Sequence, residues 1–161
     1  MTTAIFPGKF DPVTMGHLDI IQRAARLFDK VMVAVFESPD REALFTTEER
    51  VALVREALSD TPGVEVDSFR GLVVDYARSK GAQVMVRGLR INTDFEYEFE
   101  MALMNRRLAA DIDVVCLITS LEYQYVRSSR LKEVARLGGD ISGLAPPNVV
   151  QAVRARFGAY V

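Results

Sequence analysis

The chain carries one histidine, His17, at the end of the segment Gly8-Lys9-Phe10-Asp11-Pro12-Val13-Thr14-Met15-Gly16-His17. The apolar run Ala4-Ile5-Phe6 precedes it. Leu18, Ile21, Ala24, Ala25 and Phe28 follow at helical spacing. The pattern predicts a strand, a Gly/Pro turn and the first turn of an amphipathic helix. Gly8 permits a turn that a Cβ would obstruct, and Pro7 and Pro12 stiffen it. Backbone N–H groups at Gly16-His17 would then point outward from a helix start. That is an anion site, and phosphate is the usual occupant. A lone histidine there is equally consistent with a helix cap or a surface residue.

Three further groups suit phosphate chemistry. Arg87 and Arg90 flank Gly88-Leu89 directly after the apolar triplet Val84-Met85-Val86, where a fork of donors meets phosphate oxygens. Ser128 and Ser129 open a helical pattern, and serines in that position cap a helix or bind anions with their N–H groups. Arg41 follows a second apolar run, Val31 to Phe36, and taken alone reads as a solvated charge.

The elements that must position these residues alternate regularly. Strands are expected at 4–6, 31–36, 64–66, 84–86 and 114–118, and helices between and after them. Thr46 and Glu49 form a capping-box pattern, Asp94 opens a helix reaching Leu108, Gly138-Gly139 stops the helix opened by Ser128, and Pro146-Pro147 leads into the last. Strict alternation predicts an α/β fold: one doubly wound, Rossmann-like domain over residues 1–161, with a five-stranded parallel sheet and helices on both faces. Ligands of such sheets lie outside the carboxyl ends of the strands. The segment 8–17, Arg41, the segment 87–90 and Ser128-Ser129 follow the first, second, fourth and fifth strands, so four loops converge on one edge. The helix from Asp94 carries two apolar stripes, Phe95/Phe99/Ala102/Leu103 and Tyr97/Met101/Met104/Leu108. Either it is wedged inside the monomer or one stripe meets another subunit.

Composition narrows the function. A net charge of −2 and a pI near 5.5 argue against a general nucleic-acid or membrane-surface binder. No signal-peptide pattern or bilayer-length apolar run is present, so the cytoplasm is the expected location. The single cysteine, Cys116, is expected as a buried structural thiol, and one histidine without cysteine companions makes a structural metal site improbable.

Gly8-Lys9-Phe10-Asp11-Pro12 followed by Thr14-Met15-Gly16-His17 resembles the signature of the nucleotidylyltransferases, whose motif is (His/Thr)-x-Gly-His. With Arg87-Gly88-Leu89-Arg90, Asp94-Phe95-Glu96-Tyr97-Glu98 and Ser128-Ser129-Arg130-Leu131-Lys132-Glu133-Val134, in that order and spacing, the chain resembles the bacterial phosphopantetheine adenylyltransferases over essentially its whole length.

That resemblance implies transfer of the adenylyl group of ATP to 4′-phosphopantetheine, giving dephospho-coenzyme A and pyrophosphate, without a covalent intermediate. It implies Mg²⁺ carried by the phosphates rather than by side chains, a homohexamer, and coenzyme A as a candidate inhibitor. His17, Lys9 and Arg90 become the catalytic candidates. Lys9, Phe10, His17, Gly88, Leu89, Arg90, Glu98, Tyr123, Gln124, Tyr125, Val126, Arg127, Ser128 and Ser129 are the ATP-side candidates, and Lys9, Arg41, Val73 and Arg87 the acceptor-side candidates. Three positions depart from the family's usual residues: Lys9 for Thr or Ser, Arg41 for Lys, and Arg127 for Ser. A related transferase with another acceptor, such as nicotinamide mononucleotide, and a non-catalytic nucleotide sensor are the rival readings of the sequence.

Overall fold

The computed structural model describes residues 1–37 and 42–158, the Thr93 side chain excepted. The strands are β1 (Thr3–Gly8), β2 (Lys30–Phe36), β3 (Val64–Phe69), β4 (Val84–Leu89) and β5 (Asp113–Ile118). The helices are α1 (Met15–Leu27), α2 (Thr47–Ala57), α3 (Val73–Ser79), α4 (Asn92–Leu108), α5 (Ser128–Arg136) and α6 (Pro147–Phe157), with a 3₁₀ turn at Leu121–Tyr123. The sheet is wholly parallel in the order β3-β2-β1-β4-β5, the doubly wound arrangement expected from the alternation.

The alternation of side chains along β1 builds the two layers. Ala4 and Phe6 face one core with Val31, Val33, Ile21 and residues of α2 and α6. Ile5 faces the other with Met32, Met85, Val74, Ala77, Ala109 and Ile112. Thr46 caps α2 by accepting from Glu49 N–H, and Glu49 accepts from Thr46 N–H in return.

Three strands outrun their expected bounds, β1 to Gly8, β3 to Phe69 and β4 to Leu89, and Cys116 changes its surroundings. β4 does not end at Val86: Arg87, Gly88 and Leu89 continue it, opposite Cys116, Leu117 and Ile118. The unbroken β5 partner carries the ladder through residues whose types suggested a loop. Cys116 is exposed rather than buried, because β5 is the edge strand and its outer residues lack a covering layer within the chain. Burial of its surroundings and the Glu98 carboxylate still push its thiol pKa up, which disfavours the nucleophilic thiolate.

β1 and β4 lie at the reversal of strand order. They pair only at Ala4–Val84 and Ile5–Met85, then part. Pro7 has no N–H to extend a ladder, and its carbonyl accepts instead from Arg87 Nη1 at 2.9 Å. The opening left by the parted strands is where ligands of this architecture bind.

Candidate active site

Three adjoining clefts occupy that opening. The first, about 290 Å³, is lined by Gly8, Lys9, Val73, Met85, Arg87, Glu98 and Asn105 among others. The second, about 450 Å³, includes Phe10, His17, Gly88, Arg90, Val126, Arg127, Ser128 and Ser129. The third, about 420 Å³, includes Lys9, His17, Arg50, Ser128, Ser129 and Lys132. Lys9 lines the first and third, Arg87 and Glu98 the first and second, and His17 the second and third.

His17 is the third residue of α1, where a capping box usually holds a glutamate. Its imidazole takes that place: Thr14 N–H donates to Nδ1 at 3.0 Å, and Thr14 Oγ1 accepts from His17 N–H at 3.4 Å. Accepting through Nδ1 puts the ring proton on Nε2. Burial, then the positive charges of Arg90 and Arg87, push the His17 pKa down to about 4, so the ring is neutral near pH 7. The cap thus engages Nδ1 and leaves Nε2 as the ring's donor. The helix start is less open than its sequence suggests: Met15 N–H donates to Leu144 O and Leu18 N–H to Thr14 O.

Phe10 holds this turn in shape. It adopts φ 51°, a left-handed conformation costing of order 1–2 kcal/mol for a side chain of this kind. Its ring lies edge-on to His17 with centroids 5.0 Å apart, and covers Gly8, where a Cβ would stand 3.0 Å from Phe10 Cζ. Gly8 is therefore favoured by the closeness of that ring rather than by an unusual backbone angle. Gly88 is also tightly placed, since a Cβ there would stand 3.1 Å from Ile20 Cγ1 and that side chain would have to give by a few tenths of an ångström.

The arginines are held by α4. Arg87 Nε and Nη2 each donate to Glu98 at 2.7 Å. Arg90 Nε donates to Asp94 Oδ2 at 3.1 Å, and Arg127 Nη2 lies 3.9 Å from Asp94 Oδ1. Burial alone would raise the Asp94 pKa, but Arg90 and the N–H groups of Arg90 and Ile91 outweigh it and hold the carboxylate ionised. Ser128 Oγ donates to Pro12 O at 2.8 Å, tying the start of α5 to the turn.

Three residues here have no counterpart among the sequence candidates. Asp11 accepts from Leu44 N–H, Phe45 N–H and Lys132 Nζ at 2.9, 3.0 and 2.8 Å. These contacts overcome burial and lower its pKa. Lys132 is thereby anchored in the third cleft. Arg50, 2% exposed, donates to Lys9 O at 2.6 Å and Phe36 O at 2.9 Å, fixing the backbone that carries Lys9. Position in sequence marks Arg50 as one more charge on a helix face; only the long-range bonds reveal it.

Of the sequence candidates, Lys9, Phe10, His17, Val73, Arg87, Gly88, Arg90, Glu98, Val126, Arg127, Ser128 and Ser129 meet around the three clefts. Leu89, Tyr123, Gln124 and Tyr125 lie off their lining: Leu89 pairs with Ile118, Gln124 Nε2 donates to Thr119 O, and Tyr125 is exposed at the surface. Arg41 lies outside the described residues.

The sequence matches the cytidylyltransferase-like family over residues 5–134. It is 52% identical to a phosphopantetheine adenylyltransferase of Geotalea daltonii over 96% of both chains. It is 53% identical to one of Thermomicrobium roseum, over 96% of this chain and 94% of that one. The chain belongs to the phosphopantetheine adenylyltransferase family. A relative from a Roseiflexus species bears the same name at 52% identity over 98% of this chain and 99% of its own. Among solved structures, a nicotinate-nucleotide-type adenylyltransferase structure from Vibrio parahaemolyticus superposes with a TM-score of 0.70 over 95% of this chain and 99% of that one. At 18% identity this likeness speaks for the fold alone. No helix among the described residues is long and apolar enough to cross a membrane.

Proposed function

We propose that this chain transfers the adenylyl group of ATP to 4′-phosphopantetheine, releasing pyrophosphate and forming dephospho-coenzyme A. The observation that carries this reading is the place of His17, whose Nδ1 is fixed by Thr14 while its ring lines the two clefts on either side of the turn.

A phosphate oxygen of the acceptor attacks the α-phosphorus of ATP as the bond to the β-phosphate oxygen breaks in line. The acceptor phosphate is ionised near neutral pH, so no general base is needed. The enzyme's part is positioning and charge stabilisation. His17 donates Nε2–H to the α-phosphate as charge builds there. Arg87 and Lys9 receive the acceptor phosphate, with Val73 beside its organic arm and Arg41 as a further acceptor contact. Arg90, Lys132, Ser128, Ser129 and the free N–H groups at the start of α5 receive the triphosphate, and Lys9 spans the two. Phe10, Gly88, Leu89, Val126, Arg127 and the segment Tyr123-Gln124-Tyr125 complete the nucleotide side.

Magnesium fits this arrangement as a passenger on the triphosphate. Asp11, Asp94 and Glu98 each already accept from a cation, and the described residues contain no cluster of three His, Cys, Asp or Glu side chains suited to a metal. The ion would supply neutralisation of the leaving pyrophosphate.

α4 supports assembly with further copies of the chain. Phe95, Phe99, Leu103 and Met104 are each more than half exposed, an apolar surface of a kind that marks an interface. We place the hexamer of the family on this face and the enzyme in the cytoplasm. The test of function is pyrophosphate release from Mg·ATP with and without 4′-phosphopantetheine. Release that depends on the acceptor supports the reading; ATP binding without release overturns it.

A further inference from the structure

Asp19 lies two residues beyond His17 on α1 and lines none of the three clefts. Its carboxylate holds the connection between β5 and α5, 101 residues away in sequence. Ser120 N–H donates to Asp19 Oδ2 at 2.9 Å and Ser120 Oγ to Oδ1 at 2.8 Å, so both oxygens grip one residue. Arg23, one turn further along α1, donates from Nη1 to Oδ2 at 3.2 Å and to Ile118 O at 2.6 Å. The Asp19 side chain is 12% exposed, so these charge-assisted bonds are largely sheltered from water.

The same face of α1 packs against the connection. Gly16 and Asp19 are neighbours at i, i+3, and a Cβ on Gly16 would stand 3.6 Å from Tyr123 Cβ and 3.7 Å from Thr119 Cγ2. Beyond Ser120 the connection is held by its own turns, with Tyr123 N–H donating to Ser120 O and Val126 N–H to Tyr123 O. A chain of bonds thus runs from Asp19 through Ser120 to Val126, which lines the second cleft with Thr119 and Arg127.

We propose that Asp19 is a positioning residue for the nucleotide, acting through Ser120 on the connection that walls the second cleft. The proposal rests on the reading of that cleft as the one that receives ATP. Neighbouring residues of α1 then fix two parts of the site: His17 supplies the ring and Asp19 sets the wall.

Kinetics separate this role from two others. Asp19→Ala should raise the KM for ATP about tenfold, the scale of lost hydrogen bonds to a charged group, with kcat and the acceptor KM within twofold. Asp19→Asn should rescue most of that loss, because its amide can accept from Ser120 N–H and donate to Ser120 Oγ. Ser120→Ala, a milder change, should raise the KM for ATP by less. Adding it to Asp19→Ala should change little, since both act on one contact. A fall in kcat with the KM for ATP unchanged would mean that Asp19 acts on His17, and overturns the proposal. So do equal losses on both substrates, additive losses in the double variant, or a lower melting temperature with all constants intact.

Binding without turnover keeps this distinct from the assigned reaction. Calorimetry with Mg·ATP and no acceptor should rank wild type tightest, then Asp19→Asn, then Asp19→Ala. Equal Kd values in wild type and Asp19→Ala overturn the proposal, as does a wild type that binds no ATP. A wild type that binds ATP but releases no pyrophosphate with 4′-phosphopantetheine overturns the assigned reaction, and the order of affinities alone then decides the role of Asp19.

Discussion

Helices α1 and α4 border the same opening and bury opposite kinds of side chain. α1 turns Leu18, Ile20, Ile21 and Ala24 into the core and leaves Gln22 and Arg26 exposed. α4 turns Glu98 and Asn105 inward, with Asp94 only partly exposed, and presents Phe95, Phe99, Leu103 and Met104 outward. An amphipathic helix reports which side is dry, and α4 leaves its large apolar residues uncovered within this chain. Its inner face meets arginines and clefts; its outer apolar residues are where we propose that a second copy docks. α1 combines the two tasks along its length instead, with chemistry at its first turn and core below.

The largest effect that separates the two helices is at the α1 terminus. His17→Asn keeps an acceptor for Thr14 N–H and removes the Nε2 donor. Turnover should fall by about 10² or more, as for loss of one transition-state donor, with the melting temperature nearly unchanged. A loss confined to KM would place His17 in ground-state binding.

Next come the apolar faces. Ile21→Ala, at a fully buried site, should cost about 2–5 kcal/mol in urea unfolding of the subunit. Leu103→Glu, at a site 56% exposed, should leave the subunit folded and lower the mass seen by light scattering. An unchanged mass would remove α4 from the interface and end the contrast between the helices.

α4 also marks where the sequence stopped being legible. Its length and its two apolar stripes were readable, and so were the alternation of elements, the parallel sheet and the convergence of segments 8–17, 87–90 and 128–129 on one edge. Which stripe faced the core was not, because neither does: the inward positions are Asp94, Glu98 and Asn105, and a count of apolar residues passes over them. Arg50 and the Asp11–Lys132 pair were hidden for a related reason, since bonds across 41 and 121 residues leave no local pattern. β4 ran past Val86 because β5 offered a partner, a tertiary effect that overrides the loop-like glycine. His17 was found by its neighbours in sequence, and its tautomer only by the bond from Thr14.

The pH dependence of stability tests the α1 terminus without substrates. His17 has a folded pKa of about 4 against an ordinary value of 6.5. Between those values the unfolded chain binds a proton that the folded chain refuses, so stability falls as pH drops from 6.5 toward 4. At about 1.4 kcal/mol per unit the full loss is about 3 kcal/mol at most, and less for a ring that retains some solvent contact. His17→Asn should flatten the melting temperature across this window. Asp11 and Asp94, whose folded pKa values lie below the ordinary carboxylate range, contribute their losses at lower pH. A slope that survives in His17→Asn would show that the ring is not the group held neutral.

The smallest expected effect concerns Arg127, where the family usually has serine. Its side chain is 39% exposed and stands 3.9 Å from Asp94, which Arg90 already holds at 3.1 Å. So loose and hydrated a pair contributes little to stability. Its charge nevertheless faces the cleft assigned to the triphosphate, where attraction at a distance raises ATP affinity modestly and is screened by salt. Arg127→Ser should raise the KM for ATP by about threefold at low ionic strength, and by less at 0.5 M salt, where the Debye length is only about 4–5 Å. It should leave acceptor constants alone. A change that persists at high salt would mean that Arg127 bonds the nucleotide directly. An altered acceptor KM would mean that Arg127 disturbs Asp94 and, through α4, the Glu98–Arg87 pair one turn away. That outcome would make the inward face of α4 one coupled unit rather than two separate clamps.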